Sequence, residues 1–159
     1  MKHILLALLV VSLFTGCLKS REPVCNYNQC AFVAPEAQSL AVKTYLDSVG
    51  NTTAIKHCSG MYYEVITPGT GNAPTACSAV QVNYKLMLTN GTLVEQTSEP
   101  AAFYMDRVIA GFTNGLLNIK EGGKVRLYIP PFLGYGSAPQ NSIPANSILI
   151  FETELLQVR

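Results

Sequence analysis

The spacing of apolar residues changes twice along the chain. Residues 4–14 are apolar apart from Ser12 and show no period. Eleven such residues are too few to cross a bilayer core, which takes roughly 20, and they match the apolar region of a secretory signal. Residues 18–34 are polar and irregular, a tether. Between Pro35 and Gly50, Ala37, Leu40, Ala41, Tyr45, Leu46 and Val49 fall near one helical stripe. Proline suits a first helical position and glycine a stop, so the spacing predicts a helix there. From about Met61 the period becomes two. Residues 61–67 read as a strand ended by Pro68-Gly69-Thr70-Gly71. Val80, Val82, Tyr84, Leu86 and Leu88 then alternate with Gln81, Asn83, Lys85, Met87 and Thr89, a strand with one buried face. Asn90-Gly91 predicts a tight hairpin, and residues 93–97 return as the partner strand.

Ile109, Phe112, Leu116 and Ile119 recur at spacings of three, four and three, which predicts one short amphipathic helix closed by Glu121-Gly122-Gly123. Val125, Leu127 and Ile129 alternate with Lys124, Arg126 and Tyr128 in a further strand that stops at Pro130-Pro131. Residues 132–146 form a loop longer than a connection needs, which makes it a functional suspect. Residues 148–157 close the chain as a strand with Leu149, Phe151, Thr153 and Leu155 on one face. The sum is an α+β architecture: an antiparallel sheet, one short helix across its apolar face, and an accessory helix packed on the domain.

Composition narrows the function. Apolar residues make up 48% of the 159 and charged ones 13%, so a packed core forms. Lys2 is the only charged residue among the first sixteen, which leaves ten side chains of each sign after them. That balance argues against a nucleic-acid partner, which needs a basic surface. Only His3 and His57 are histidines, so a His-rich metal site is excluded and a Ser-His-Asp hydrolase would rest on His57 alone. Neither a metal nor a cofactor is expected.

Leu13-Phe14-Thr15-Gly16-Cys17 resembles the bacterial lipobox, with Phe14 where Leu is usual. A lipid anchor needs a cysteine at the cleavage point because its thiol carries the acyl group; an ordinary signal has no use for one. Residues 1–16 are therefore expected to be a signal, Cys17 a lipidation site, and the protein a bacterial envelope lipoprotein bound to the membrane. Leu18 rather than Asp after the cysteine favours the outer membrane, on its periplasmic or surface face. Export implies an oxidising compartment, so Cys25, Cys30, Cys58 and Cys77 are disulfide candidates. Three pairings are possible, and Cys25–Cys30 with Cys58–Cys77 is favoured because each closes a local loop.

Seven blocks of residues carry a resemblance. Val82-Asn83-Tyr84, Asn90-Gly91, Val108-Ile109-Ala110-Gly111-Phe112, Glu121-Gly122-Gly123-Lys124, Gly134-Tyr135-Gly136, Ile143-Pro144-Ala145-Asn146 and Phe151-Glu152-Thr153-Glu154-Leu155 stand in the order and near the spacing of FKBP-type peptidyl-prolyl isomerases. The likeness runs from about Tyr62 to Arg159, and the layout ahead of it is similar to lipoprotein members of Bacteroidetes-like bacteria. It implies a half-barrel sheet wrapped around the short helix, with a prolyl pocket between them. It divides the chain into a signal (1–16), a tether carrying lipidated Cys17 (17–34), an accessory helix (35–53) and an isomerase domain (54–159). It implies that Tyr84, Val108, Phe112, Ile143 and Phe151 form the pocket with Phe103, that Tyr135 donates to a substrate carbonyl, and that the Ile109 amide holds the next carbonyl.

Three positions depart from the family: Val94 where Phe is usual, Glu95 where Asp is usual, and Ala101 where another aromatic is usual. The resemblance still places Val94 in the substrate site and Glu95 in the catalytic one. From periodicity alone, Tyr84, Val108, Ile109, Phe112 and Phe151 read as core. Tyr135, in a Gly-flanked loop, does not. The expected partner is a proline-containing segment of an exported protein, handled by a monomer. The rival readings are a catalytically weak binding module of the same fold, with two pocket rings lost, and a structural envelope lipoprotein.

Overall fold

The computed structural model describes residues 25–159. The expected signal at 1–16, the lipidated Cys17 and the first part of the tether lie outside the described residues. The elements in chain order are α1 (Glu36–Ser48), β1 (Ile55–Lys56), β2 (Tyr62–Thr67), β3 (Ala79–Leu88), β4 (Leu93–Gln96), β5 (Ala101–Tyr104), a 3-10 turn (Met105–Arg107), α2 (Ala110–Leu116), β6 (Lys124–Ile129), a second 3-10 turn (Pro131–Leu133) and β7 (Leu149–Val158). The strands form one antiparallel sheet in the order β1-β2-β6-β7-β3-β4, with β5 also on β3. The fold is α+β. Two strands escape the alternation rule: β1 has only two residues, and β5 carries two alanines in four.

The strand patterns sort the sheet into two faces. Val80, Val82 and Leu86 of β3, Val125, Leu127 and Ile129 of β6, and Leu149, Phe151 and Leu155 of β7 all point into the main core with Phe112 and Leu116 of α2. α2 comes close because it has glycines one turn apart on its sheet-facing side. A Cβ at Gly111 would collide with Ile129, and one at Gly115 with Leu127. The expected amphipathic helix is in fact buried all round, from Gly111 to Leu116. Its far side is covered by residues 25–34. Asn114, 1% exposed, accepts from the Tyr27 hydroxyl at 2.8 Å and donates to the Gln29 carbonyl at 3.2 Å. Thr113 donates to the Met105 carbonyl at 2.6 Å, so both buried polar groups are satisfied.

The other face of the sheet is covered by α1. Val42 and Leu46 pack on Tyr62, Tyr128 and Ile150. This corrects two expectations. The buried stripe of α1 is Ser39, Val42 and Leu46, with Leu40 60% exposed and Val49 also outside, because the sheet meets the helix to one side of the most apolar line. Tyr128, on the polar side of its strand by alternation, is buried because α1 roofs that face, and its hydroxyl accepts from Asn51 Nδ2 at 3.0 Å. Below the roof, Arg126 pairs with Glu152 at 2.9 Å and Glu64 at 3.4 Å, and Lys124 with Glu152 at 2.9 Å. The hydrogen bond from Arg126 and then that from Lys124 hold the Glu152 carboxyl below the usual range.

The favoured disulfide pairing is overturned. Cys25 bonds Cys77 and Cys30 bonds Cys58, across 52 and 28 residues, with Cα atoms 5.9 and 5.5 Å apart. Shortest-loop reasoning weighs only closure of the unfolded chain. The path of residues 25–34 decides instead: lying along the domain, they bring Cys25 to the turn before β3 and Cys30 to the turn before β2. His57, beside Cys58, has its Nδ1 against the Ser59 amide at 3.1 Å and its Nε2 against Gln29 Oε1 at 3.1 Å. Burial lowers its pKa, and with Cys58 bridged there is no thiol for it to activate. No described helix is long and apolar enough to cross a membrane.

Proteolysis without reductant is expected to yield one fragment pair joining Cys25 to Cys77 and another joining Cys30 to Cys58; pairs joining Cys25 to Cys30 would refute this connectivity. Gly115→Ala forces Leu127 from its packed position and is expected to lower the stability measured by urea unfolding by about 1–3 kcal/mol.

Candidate active site

Between α2 and the sheet lies an open cavity of about 270 Å³. Its floor is Phe112, 4% exposed, which the short helix presents toward β3 and β7. Three rings surround the floor. Phe151 of β7 meets Phe112 edge-on at 5.2 Å between centroids, Phe103 of β5 at 6.1 Å, and Tyr84 of β3 at 6.3 Å. Tyr84 also contacts Phe103 and Phe151 at 5.9 Å each, so the four rings form a closed set. Edge-to-face packing of this kind fixes ring orientation and leaves an apolar wall. Val108 and Ile109, on the approach to α2, complete the near side.

The polar groups sit at the rim. The Tyr84 hydroxyl donates to Glu95 Oε1 at 2.5 Å. Burial first, then that bond and the Glu95 charge, push the Tyr84 hydroxyl well above its ordinary pKa. Tyr135 is 39% exposed, and its hydroxyl has no protein partner among the described residues. Burial, and secondly the Glu95 charge, raise its pKa, so it stays a donor throughout the neutral range. Its position is set by the backbone: the amides of Gly134 and Gly136 both donate to the Pro131 carbonyl, at 3.0 and 2.8 Å. Gly136 has φ +69°, a conformation that favours glycine. This explains why a Gly-flanked tyrosine stands in the loop. Ile109 caps α2, and among the described residues its N–H donates to no acceptor.

Of the residues expected in the site, Tyr84, Glu95, Phe103, Val108, Ile109, Phe112, Tyr135 and Phe151 line this cavity. Val94 and Ile143 do not. They line an adjoining hollow of about 360 Å³, reached across Glu95 and Tyr135, which border both spaces. Ile143, paired with Gln140 in a short bridge, is buried in the same core as Phe112 and Phe151. Val94 packs, partly buried, against the core that contains Phe112 and Phe151. Two lining residues were not expected. Leu86 reads as pure core from its alternation, and nothing in the sequence separates it. Arg107 lies next to the Val108-Ile109 pair, which was the available signal, and its guanidinium stands 4.9 Å over the Tyr104 ring. Among the described residues no three His, Cys, Asp or Glu side chains cluster as metal ligands would.

Residues 71–156 match the family of FKBP-type peptidyl-prolyl cis-trans isomerases. The chain is 43% identical over 121 residues to the FKBP-type peptidyl-prolyl cis-trans isomerase FkpA of Escherichia coli K12, covering 74% of this chain and 45% of that one. It is 40% identical over 103 residues to FkpA of Aeromonas hydrophila, covering 63% and 38%. The chain thus spans less than half the length of these curated relatives. The crystal structure of Escherichia coli FkpA superposes with a TM-score of 0.71 at 39% identity, over 77% of this chain and 60% of that one. A peptidyl-prolyl cis-trans isomerase structure from Pseudomonas syringae pv. tomato superposes at 0.68 and 34% identity, over 79% and 96%. With the family matched over more than half of the sequence and the same sheet found in solved relatives, this chain belongs to the FKBP-type peptidyl-prolyl cis-trans isomerases.

Proposed function

We propose that this protein accelerates rotation about X-Pro peptide bonds in exported proteins, as a lipid-anchored component of a bacterial envelope. The observation that carries the reading is the four-ring cavity with a free Tyr135 hydroxyl at its rim. Rotation of a peptide bond breaks amide resonance, at a barrier of about 18–20 kcal/mol, and an X-Pro bond exchanges in tens to hundreds of seconds. In the twisted state the proline nitrogen is pyramidal and the group is less polar than the planar amide. A dry aromatic cavity favours that state over the planar one, which is differential binding and needs no covalent step.

Each residue has a part in this scheme. Phe112 lies under the prolyl ring, with Tyr84, Phe103, Phe151 and Val108 around it. The Tyr135 hydroxyl donates to the carbonyl before proline and fixes the half of the bond that does not turn. The Ile109 amide holds the carbonyl that follows. Glu95 anchors Tyr84 through its hydroxyl and keeps that ring in the wall. No group has to gain or lose a proton. The reading of residues 54–159 as the isomerase domain, and of 35–53 as its accessory helix, is part of this proposal. The two disulfides suit an oxidising compartment, and Cys17, following small residues at the end of an apolar segment, suits a lipid anchor.

In a protease-coupled assay on proline peptides, the full chain is expected to raise the isomerisation rate above background. Tyr135→Phe is expected to lower kcat/KM about threefold to tenfold, the worth of one hydrogen bond, with unchanged thermal unfolding. Phe103→Ala, at a half-buried wall position, is expected to raise KM. Peptide binding without acceleration would instead support the binding module. Cys17→Ala is expected to release the protein from the membrane fraction of the producing cell; unchanged membrane association would refute the anchor.

A further inference from the structure

The adjoining hollow has a division of surface that the prolyl cavity lacks. Leu86, Val94 and Ile143 form an apolar side, and Gln140, Asn141 and Ser142 form a polar loop opposite. Glu95 stands on the ridge between the hollows. Its Oε1 is taken by the Tyr84 hydroxyl, but no lysine, arginine or histidine pairs with it among the described residues. The single cation lining the prolyl cavity, Arg107, lies toward the other end, on the Val108 side. Arg107 there pairs with Asp106 at 4.0 Å, so the unpaired charge of the cleft is the Glu95 carboxylate. An apolar strip leading to a lone carboxylate fits a side chain with a hydrocarbon stem and a cationic head.

We propose that the adjoining hollow receives the residue before proline and selects lysine or arginine there, the stem lying over Val94 and Ile143 and the head beside Glu95. The inference rests on the isomerase reading above. With the carbonyl before proline at Tyr135, the preceding side chain leaves on the Tyr135–Glu95 side, into this hollow, and the residue after proline leaves toward Ile109 and Arg107. Valine at position 94 contributes by leaving the hollow open. The formal net charge of the chain is only +1, so overall attraction of basic peptides does not account for such a preference.

The test compares Ala-X-Pro-Phe peptides with X as Lys, Leu or Glu, using the full chain in low salt. Lys is expected to exceed Glu in kcat/KM by about fivefold, with Leu between them, and the spread is expected to shrink to about twofold in 1 M salt, where the Debye length is about 3 Å. A peptide with Leu before proline and Lys after it is expected to show no gain. Ser142 lines the hollow, is exposed and lies outside the catalytic groups. Ser142→Lys is expected to abolish the preference for Lys over Glu, read as the ratio of kcat/KM between those two peptides. Acceleration of all three peptides without charge order, or a preference that Ser142→Lys does not alter, overturns this assignment alone. Background rates on every peptide overturn the isomerase reading and this one with it.

Discussion

The close approach of α2 to the sheet is the constraint from which the site follows. Gly111 and Gly115 remove the side chains that would hold the helix off Ile129 and Leu127. At that distance Phe112, between the two glycines, meets Phe151, Phe103 and Tyr84 edge-on rather than from across a gap. A helix standing a methyl group higher would lift the floor and open the ring set to water. Tight packing against Leu127 and Ile129, both fully buried, leaves little room for such a shift. Ile109 shares in this, since the cap residue goes where the helix goes.

A helix of seven residues is too short to be stable by itself, so it is held from several sides. The sheet holds one side. Residues 25–34 hold the other through Tyr27, Gln29 and Asn114, and two disulfides keep that segment in place. In the chain-entropy view a link closing a loop of this length contributes about 4 kcal/mol. α1 then covers the opposite face of the sheet over Tyr62, Tyr128 and Ile150. The segment ahead of the domain is thus part of what keeps the pocket floor rigid.

The chemistry suits a chain with little to titrate. The Tyr135 hydroxyl keeps its proton because burial and Glu95 both disfavour the phenolate, and the Tyr84 hydroxyl donates to Glu95. An environment that stabilises a less polar rotated imide needs shape, dryness and one fixed donor. Replacing two family aromatics by Val94 and Ala101 leaves the central four rings intact and changes the margin of the site instead. On the Val94 side that margin is the adjoining hollow bordered by the Glu95 carboxylate.

The sequence alone determined the elements with strong periods and the residues whose neighbours announce them. β3, the Asn90-Gly91 turn, β6 and β7 follow from alternation, and Tyr135 stands out because glycines flank it in a long loop. Alternation states which residues share a face, and the likeness of seven spaced blocks supplied the topology. Neither reports what lies over that face. Tertiary structure decided that α2 is buried all round, that Tyr128 is roofed by α1, and that α1 turns Val42 rather than Leu40 inward. It also decided the disulfides, because Cys25 and Cys77 become neighbours only when a segment remote in sequence lies along the folded domain. Val94 and Ile143 line the hollow beside the four-ring cavity for the same reason: which stretch of a shared wall a residue lines is set by how elements remote in sequence pack.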